Sequence, residues 1–336
     1  MNFQNVLVTG GCGFIASNFL NMMVPKYRNI NWVNIDAMYY CADIDNLEEN
    51  VRNSRNYSFI KGNTNSMDLV SHVLYEHKID CIVNFAAQSH VCNSFGEPLT
   101  YTKDNIMGTH TLIESCRQYG IDKIKKFIHV STDEVYGESD LIGDCKDEGT
   151  ILFPTNPYSA TKAAAEMIAI SYHKSFGLPL IISRGNNVYG PRQYPEKLIP
   201  RFITLLMNNK KCTIHGQGNQ LRSFLYIDDT VRAFETLLLK GEIGEIYNIG
   251  CRNEYSVMDI ASMLIKEIKP NEEFDDWVEF VKDRDFNDVR YHISVDKLAE
   301  LGWEPQVEFM DGLHETIQYC LKKYKKESND DQELEV

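Results

Sequence analysis

The sequence predicts an α/β protein: a doubly wound parallel sheet carrying a smaller mixed α/β lobe. Three observations support this. Short apolar, β-favouring runs alternate with helical patterns over the first 180 or so residues, the order that builds a parallel sheet with helices on both faces. A glycine-rich loop, Gly10-Gly11-Cys12-Gly13, joins the first strand pattern to the first helix pattern. From Arg184 onward the composition shifts towards Asn, Gly and Pro with shorter elements, which marks the second lobe. A chain of 336 residues is long enough for such a fold with a sizeable core.

The elements follow in order. Residues 5–9 are a short apolar strand; the loop leads into a helical pattern through Phe19, Leu20, Met22 and Met23, and residues 31–36 form the next strand. This is one βαβ unit. Residues 57–60 give a third strand, Leu69, Val73 and Leu74 a helix, and residues 81–85 a fourth strand. A helix over about 105–116 precedes a central strand at 127–130. Asn156-Pro157 reads as a helix start, with Asn as N-cap and Pro at the first helical position. That helix runs on through the alanines between Ala163 and Ala169, and residues 178–183 form the strand after it. Further strands are expected at 224–227 and 245–249, and helices near 229–239 and 256–267. The expected division is a nucleotide-binding domain over 1–183 with 223–250 returning to it. A second lobe spans 184–222 and 251–321, and a polar, unstructured tail covers 322–336.

A formal net charge of −14 argues against nucleic-acid or anionic-membrane binding. Nine cysteines without a C-x-x-C pair read as reduced thiols in a cytosolic setting. No apolar run approaches the length of a membrane span, no signal peptide is expected, and the histidines show no metal-binding spacing.

Gly10-x-x-Gly13-x-x-Ala16 lets the backbone pass close to a pyrophosphate held at a helix N-terminus. Asp36, ending the second strand, suits two adenosine ribose hydroxyls and repels a 2′-phosphate, which favours NAD over NADP. Tyr158 and Lys162 lie four apart on one helix face. A tyrosine of pKa about 10 is a poor base at neutral pH, and the lysine ammonium is expected to lower that pKa. At the end of the central strand stand Thr132, Asp133 and Glu134, a hydroxyl and two carboxylates where ligands of open parallel sheets sit.

Together the glycine loop, Asp36, Ser131-Thr132-Asp133 and Tyr158-x-x-x-Lys162 resemble the extended short-chain dehydrogenase/reductase superfamily, over the chain to about residue 320. The resemblance implies a Rossmann-like fold. Epimerases of that group lack both carboxylates at this position and decarboxylases typically keep only the Glu, so Thr132-Asp133-Glu134 is similar to the nucleotide-diphosphoglucose 4,6-dehydratases. The chemistry so implied gives each residue a role. Tyr158 takes the C4 hydroxyl proton, Thr132 hydrogen-bonds the C4 oxygen, Glu134 removes the C5 proton, and Asp133 delivers a proton to the departing C6 hydroxyl. One carboxylate acts as acid and its neighbour as base, so their environments are expected to push the two pKa values apart.

By the same resemblance Phe14, Ile15, Asn63, Thr64, Ala86 and Ala87 join Gly10, Gly13, Asp36, Tyr158 and Lys162 around NAD. Ser89, Thr132, Asn187, Lys197, Leu198, Ile199, Arg222, Asn253, Asn287, Arg290 and Tyr291 are the implied substrate contacts. Three departures from the family pattern stand out: Ala16 for a third glycine, Asn63 for an Asp at the adenine, and Cys92-Asn93 after Ser89-His90-Val91. Gln88, Asn93-Ser94-Phe95-Gly96 and Arg184-Gly185-Asn186-Asn187 look most like the UDP-glucose dehydratase domain of plant rhamnose synthases. The segments 211–216 and 244–250 look equally like animal dTDP-glucose dehydratases. UDP-glucose is placed first and dTDP-glucose second. Homodimers and a separate downstream epimerase/reductase are expected partners. A C4 epimerase, a decarboxylase and an idle NAD-sensing protein on the same fold are the alternatives.

Overall fold

A computed structural model describes residues 3–140, 143, 145–283 and 288–333, with side chains as far as Tyr324. Among the described residues the strands are β1 (Asn5–Thr9), β2 (Asn31–Asp36), β3 (Tyr57–Lys61), β4 (Cys81–Asn84), β5 (Lys126–Thr132) and β6 (Leu180–Gly185), then β7 (Asn187–Tyr189), β8 (Cys212–His215), β9 (Leu221–Tyr226), β10 (Ile246–Ile249), β11 (Glu254–Ser256) and β12 (Val278–Val281). Seven of them form a parallel sheet in the order β10-β6-β5-β4-β1-β2-β3. The order reverses between β1 and β4, and a ligand cleft is expected there, beyond the carboxyl ends of the strands.

Strand alternation sorts the core onto two faces. Val6 and Val8 pack with Phe19, Trp32 and Phe234 on one face, while Leu7, Val33, Ile35, Ile82 and Phe127 pack on the other. Helices Phe14–Lys26 and Ile227–Lys240 cover the first face, touching through Phe19 and Phe234 with ring centroids 6.4 Å apart. The second lobe contributes a three-stranded sheet, β11-β9-β7, and a β12-β8 pair.

Four expectations shift. The central strand runs two residues further, to Thr132, because Ser131 and Thr132 pair with Arg184 and Gly185 of β6. The strand expected at 178–183 is displaced to Leu180–Gly185 by the same pairing. The strand expected at 224–227 ends at Tyr226 and joins the small sheet of the second lobe, whereas β10 returns to the main sheet. The segment from Lys322, expected to be an unstructured tail, continues the helix Phe309–Glu333. Its Lys, Glu and Gln residues are poor at burial but good helix formers, and low hydrophobicity reports only the first property.

All nine cysteines are free. Among the described residues no helix is long and apolar enough to cross a membrane, and no cluster of metal-ligating side chains occurs. Asn287 lies outside the described residues.

Candidate active site

One cleft opens at the carboxyl ends of β1, β2, β4, β5 and β6, running from the glycine loop to the second lobe. At one end Gly10 has φ +70°, and a Cβ there would stand 2.9 Å from Ala86 Cα, so only glycine keeps the loop against β4. Gly13 begins the helix Phe14–Lys26 without a side-chain cap, and its first-turn residues Phe14, Ile15 and Ala16 line the cleft. A bare helix N-terminus behind a tight glycine turn fits a dinucleotide pyrophosphate. Asp36 lines the same end, its carboxylate accepting the backbone N–H of Cys12 at 2.8 Å and of Met38 at 2.7 Å. Burial raises its pKa and those two donors oppose the rise.

Asn63, Thr64, Ala86, Ala87 and Ser89 also line the cleft, and Asn63 donates to the Tyr39 hydroxyl at 2.7 Å. The amide that replaces a family carboxylate therefore holds a tyrosine at the rim.

In the centre, Thr132 ends β5 and its hydroxyl caps the short 3-10 turn Asp133–Tyr136, accepting from Glu134 N. The turn points both carboxylates into the cleft beside Tyr158 and Lys162, which the helix Pro157–Phe176 supplies. Asn156 caps that helix through a reciprocal bond pair with Ser159. Its Nδ2 also donates to Glu134 Oε2 at 3.1 Å. Asn186, in the turn between β6 and β7, donates from Nδ2 to Asp133 Oδ2 at 2.7 Å.

Burial pushes both carboxyls up, Asp133 to about 6 and Glu134 to about 7. The charge of Asp133 adds to the rise at Glu134, while Asn156, Arg222 and Lys197 oppose it. Asn186, Arg222 and Thr132 oppose the rise at Asp133. The pair thus shares one proton around neutrality, and its titration belongs to both groups. Both values rise, where a split was expected, and the higher belongs to the expected base. Burial and mutual repulsion act on both acids at once, and the extra donors favour Asp133.

The expected depression of the Tyr158 pKa is also not found. Burial and then Glu134 raise the phenol pKa, with only a hydrogen bond to Thr132 lowering it among its main influences. Lys162 Nζ donates instead to Val130 O at 2.6 Å, and burial lowers its pKa to about 8.

At the far end Asn187, Lys197, Leu198 and Ile199 line the cleft, and Lys197 Nζ donates to Ser89 O at 2.9 Å across its mouth. Among the described residues, the other implied substrate contacts, Arg222, Asn253, Arg290 and Tyr291, do not line it. Arg222 stacks on the Tyr291 ring 4.7 Å from its centroid and donates to the carbonyls of Leu221, Asp288 and Val289, so its charge reaches the carboxylates without contact. Tyr291 donates to Asp288. Arg290 is drawn away by Glu254, to which Nη2 and Nε donate at 2.5 and 2.7 Å. Asn253 lines a separate pocket with Trp303 and Phe309. Asn156 and Asn186 went unassigned by the motifs, since a residue's role as a partner of a carboxylate leaves no spacing signal.

Three comparisons place this geometry. The profile of the family described as GDP-mannose 4,6 dehydratase matches residues 7–316. The dTDP-D-glucose 4,6-dehydratase of Mus musculus is 45% identical over 335 residues, 99% of this chain and 93% of that protein. A trifunctional UDP-glucose 4,6-dehydratase/UDP-4-keto-6-deoxy-D-glucose 3,5-epimerase/UDP-4-keto-L-rhamnose-reductase of Arabidopsis thaliana is 47% identical over 319 residues, 94% of this chain but 47% of that protein. The chain therefore spans about half the length of the first curated relatives it matches. The crystal structure of a Bacillus anthracis dTDP-glucose 4,6-dehydratase in complex with NAD superposes with a TM-score of 0.87 at 39% identity, covering 96% of this chain and 98% of that one. Since the glycine loop, both carboxylates, Tyr158 and Lys162 all fall within the matched span, the chain belongs to the GDP-mannose 4,6 dehydratase family.

Proposed function

We propose that this protein is an NAD-dependent nucleotide-sugar 4,6-dehydratase, converting UDP-glucose to UDP-4-keto-6-deoxyglucose as the first step towards a rhamnose-type sugar. The observation that carries the reading is the Asp133–Glu134 pair at the end of β5, Asp133 buried and Glu134 half-buried, facing the cleft beside Tyr158. NAD bound between the glycine loop and Asp36 would accept the C4 hydride and return it to C6. The protein's own groups move the protons. Tyr158 Oη would take the C4 hydroxyl proton as a phenolate while Thr132 Oγ1 hydrogen-bonds the same oxygen. Burial and Glu134 oppose that phenolate, so the positive charge of bound NAD⁺ would have to favour it. Glu134 removes the C5 proton, which the new C4 ketone acidifies. Asp133 gives its proton to the C6 oxygen, which leaves as water, and a proton returns to C5 as the hydride reaches C6. Burial raises the pKa of Asp133 and so favours the protonated form it needs, but it raises that of Glu134 further. The form with Asp133 protonated and Glu134 ionised is therefore the minor one of the singly protonated pair.

dTDP-glucose is the second candidate substrate, because the mouse relative matches over nearly its whole length. The 4-keto-6-deoxy product then passes to an epimerase and a reductase, the later activities in the Arabidopsis protein's name. We also propose a homodimer, with Leu99 (80% exposed), Met107 and Met167 on the helical face that a second copy covers. We assign the NAD end of the cleft to residues 1–183 with most of 223–250 returning to them, and the substrate lobe to 184–222 and 251–321. Thr132, Asp133, Glu134 and Tyr158 would reach the sugar from the first part. A cytosolic setting agrees with nine free thiols.

NMR of the protein with NAD and each sugar nucleotide in D₂O tests this. A 4-keto-6-deoxy product with deuterium at C5 is expected, formed faster from UDP-glucose. Unchanged substrate in both tubes sinks the reading. Asp133→Asn is expected to lose water elimination by about 10²–10⁴-fold while keeping hydride transfer to NAD.

A further inference from the structure

Each of the two carboxylates is gripped by one asparagine amide, and both amides are locked the same way round. Asn156 Oδ1 accepts the backbone N–H of Ser159 at 2.9 Å, which leaves its NH₂ facing Glu134. Asn186 Oδ1 accepts the backbone N–H of Cys251 at 3.2 Å, which leaves its NH₂ facing Asp133. A backbone N–H has no acceptor form, so neither amide can turn over without stranding a donor. Both side chains are buried.

The two grips come from different parts of the fold. Asn156 belongs to the helix that carries Tyr158 and Lys162. Asn186 is pinned to β10 by its own N–H to Ile249 O at 2.9 Å. Gly250 makes room for it, since a Cβ at that position would stand 1.9 Å from Asn186 Oδ1.

We infer that Asn156 and Asn186 are positioning residues of the dehydration, donors that hold Glu134 and Asp133 separately and set which of the two yields its proton first. This rests on the dehydratase reading above. An amide NH₂ stabilises the ionised carboxylate more than the protonated carboxyl. Asn186 sits closer than Asn156, and Thr132 Oγ1 adds a second bond to Asp133 at 3.2 Å. The other charged and titratable groups that reach the pair are Arg222 on β9, Lys197, Tyr158 and Tyr291. None of them hydrogen-bonds to either asparagine side chain, so each grip is a separate contact.

The active form has Asp133 protonated and Glu134 ionised. Because Asp133 titrates below Glu134, the acid limb of the kcat–pH profile reports mainly Asp133 and the alkaline limb mainly Glu134. Serine caps a helix about as well as asparagine but its hydroxyl is too short to replace the amide at Glu134. Asn156→Ser is therefore expected to keep the fold and move the alkaline limb up by about one pH unit, leaving the acid limb in place. Asn186→Ala is expected to move the acid limb up by about one unit instead. Gly250→Ala, which leaves Asn186 in the chain but displaces it, should reproduce that shift. Limbs that stay put, or limbs that move together in either variant, overturn the inference. Side-chain carboxyl ¹³C NMR of the substrate-free protein reads the same titrations without turnover. If the carboxyl titrations shift in the variants while no sugar nucleotide is converted, the dehydratase reading fails and the grips stand. Unshifted titrations in an active enzyme remove the grips alone.

Discussion

Glu134 shows at the scale of one residue how burial converts a motif letter into chemistry. In the sequence it is a carboxylate after another carboxylate, a pair that in most proteins is a solvated turn. In the fold it lies where burial and Asp133 both oppose its charge, and its pKa rises from 4.5 to about 7. An acid whose pKa is higher folded than unfolded stabilises the fold while protonated, and that contribution is lost as pH rises between the two values. Glu134→Gln keeps an acceptor for Asn156 and has no charge to bury. It is expected to melt a few degrees above the wild type at pH 8, with the gap closing towards pH 4. Calorimetry at the two pH values checks this; a gap independent of pH contradicts the burial of a titrating group. The carboxylates, Tyr158 and Lys162 were readable from type and spacing. The direction of the Tyr158 shift was not, because it depends on Lys162 reaching Val130 O and on Glu134 lying near the phenol.

At the scale of elements, Asn156-Pro157 marked the start of the helix that carries Tyr158 and Lys162, and the capping box with Ser159 bears that start out. What the local sequence could not show is how that helix is fixed to the sheet. Glu166, one turn beyond Lys162, is fully buried against Arg184 of β6 at 2.7 Å. Arg184 also donates to the Tyr136 hydroxyl at 2.9 Å, at the end of the turn that presents Asp133 and Glu134. One guanidinium thereby links the Tyr158 helix, the carboxylate turn and β6. Removing one partner of a buried ion pair leaves the other charge uncompensated, so Glu166→Gln is expected to lower stability by about 3–5 kcal/mol in urea unfolding. Adding Arg184→Met should recover part of that loss. A near-neutral single variant would show that the pair is dispensable.

At the scale of the whole molecule, backbone capture ties the segment 303–307 to the helix Ile227–Lys240. Asp229, buried in the first turn of the helix Ile227–Lys240, accepts the backbone N–H of Gln306 at 2.9 Å and of Val307 at 3.0 Å. Its own carbonyl accepts from Trp303 Nε1 at 3.1 Å. Asp229→Ala strands two backbone donors and is expected to cost about 2–3 kcal/mol in the same assay. An unchanged midpoint would mean that water replaces the carboxylate. The sequence by itself determined the parallel sheet, the glycine loop with Asp36, and the Thr132-Asp133-Glu134 and Tyr158-Lys162 pairings. These rest on period, turn chemistry and residue type, which are local. Only the tertiary structure decided that β9 leaves the main sheet while β10 returns, that Arg290 turns to Glu254, and that two asparagines grip the carboxylates. Those outcomes depend on which buried donors and charges meet across 20 to 50 or more residues of chain, and local periodicity carries no record of that.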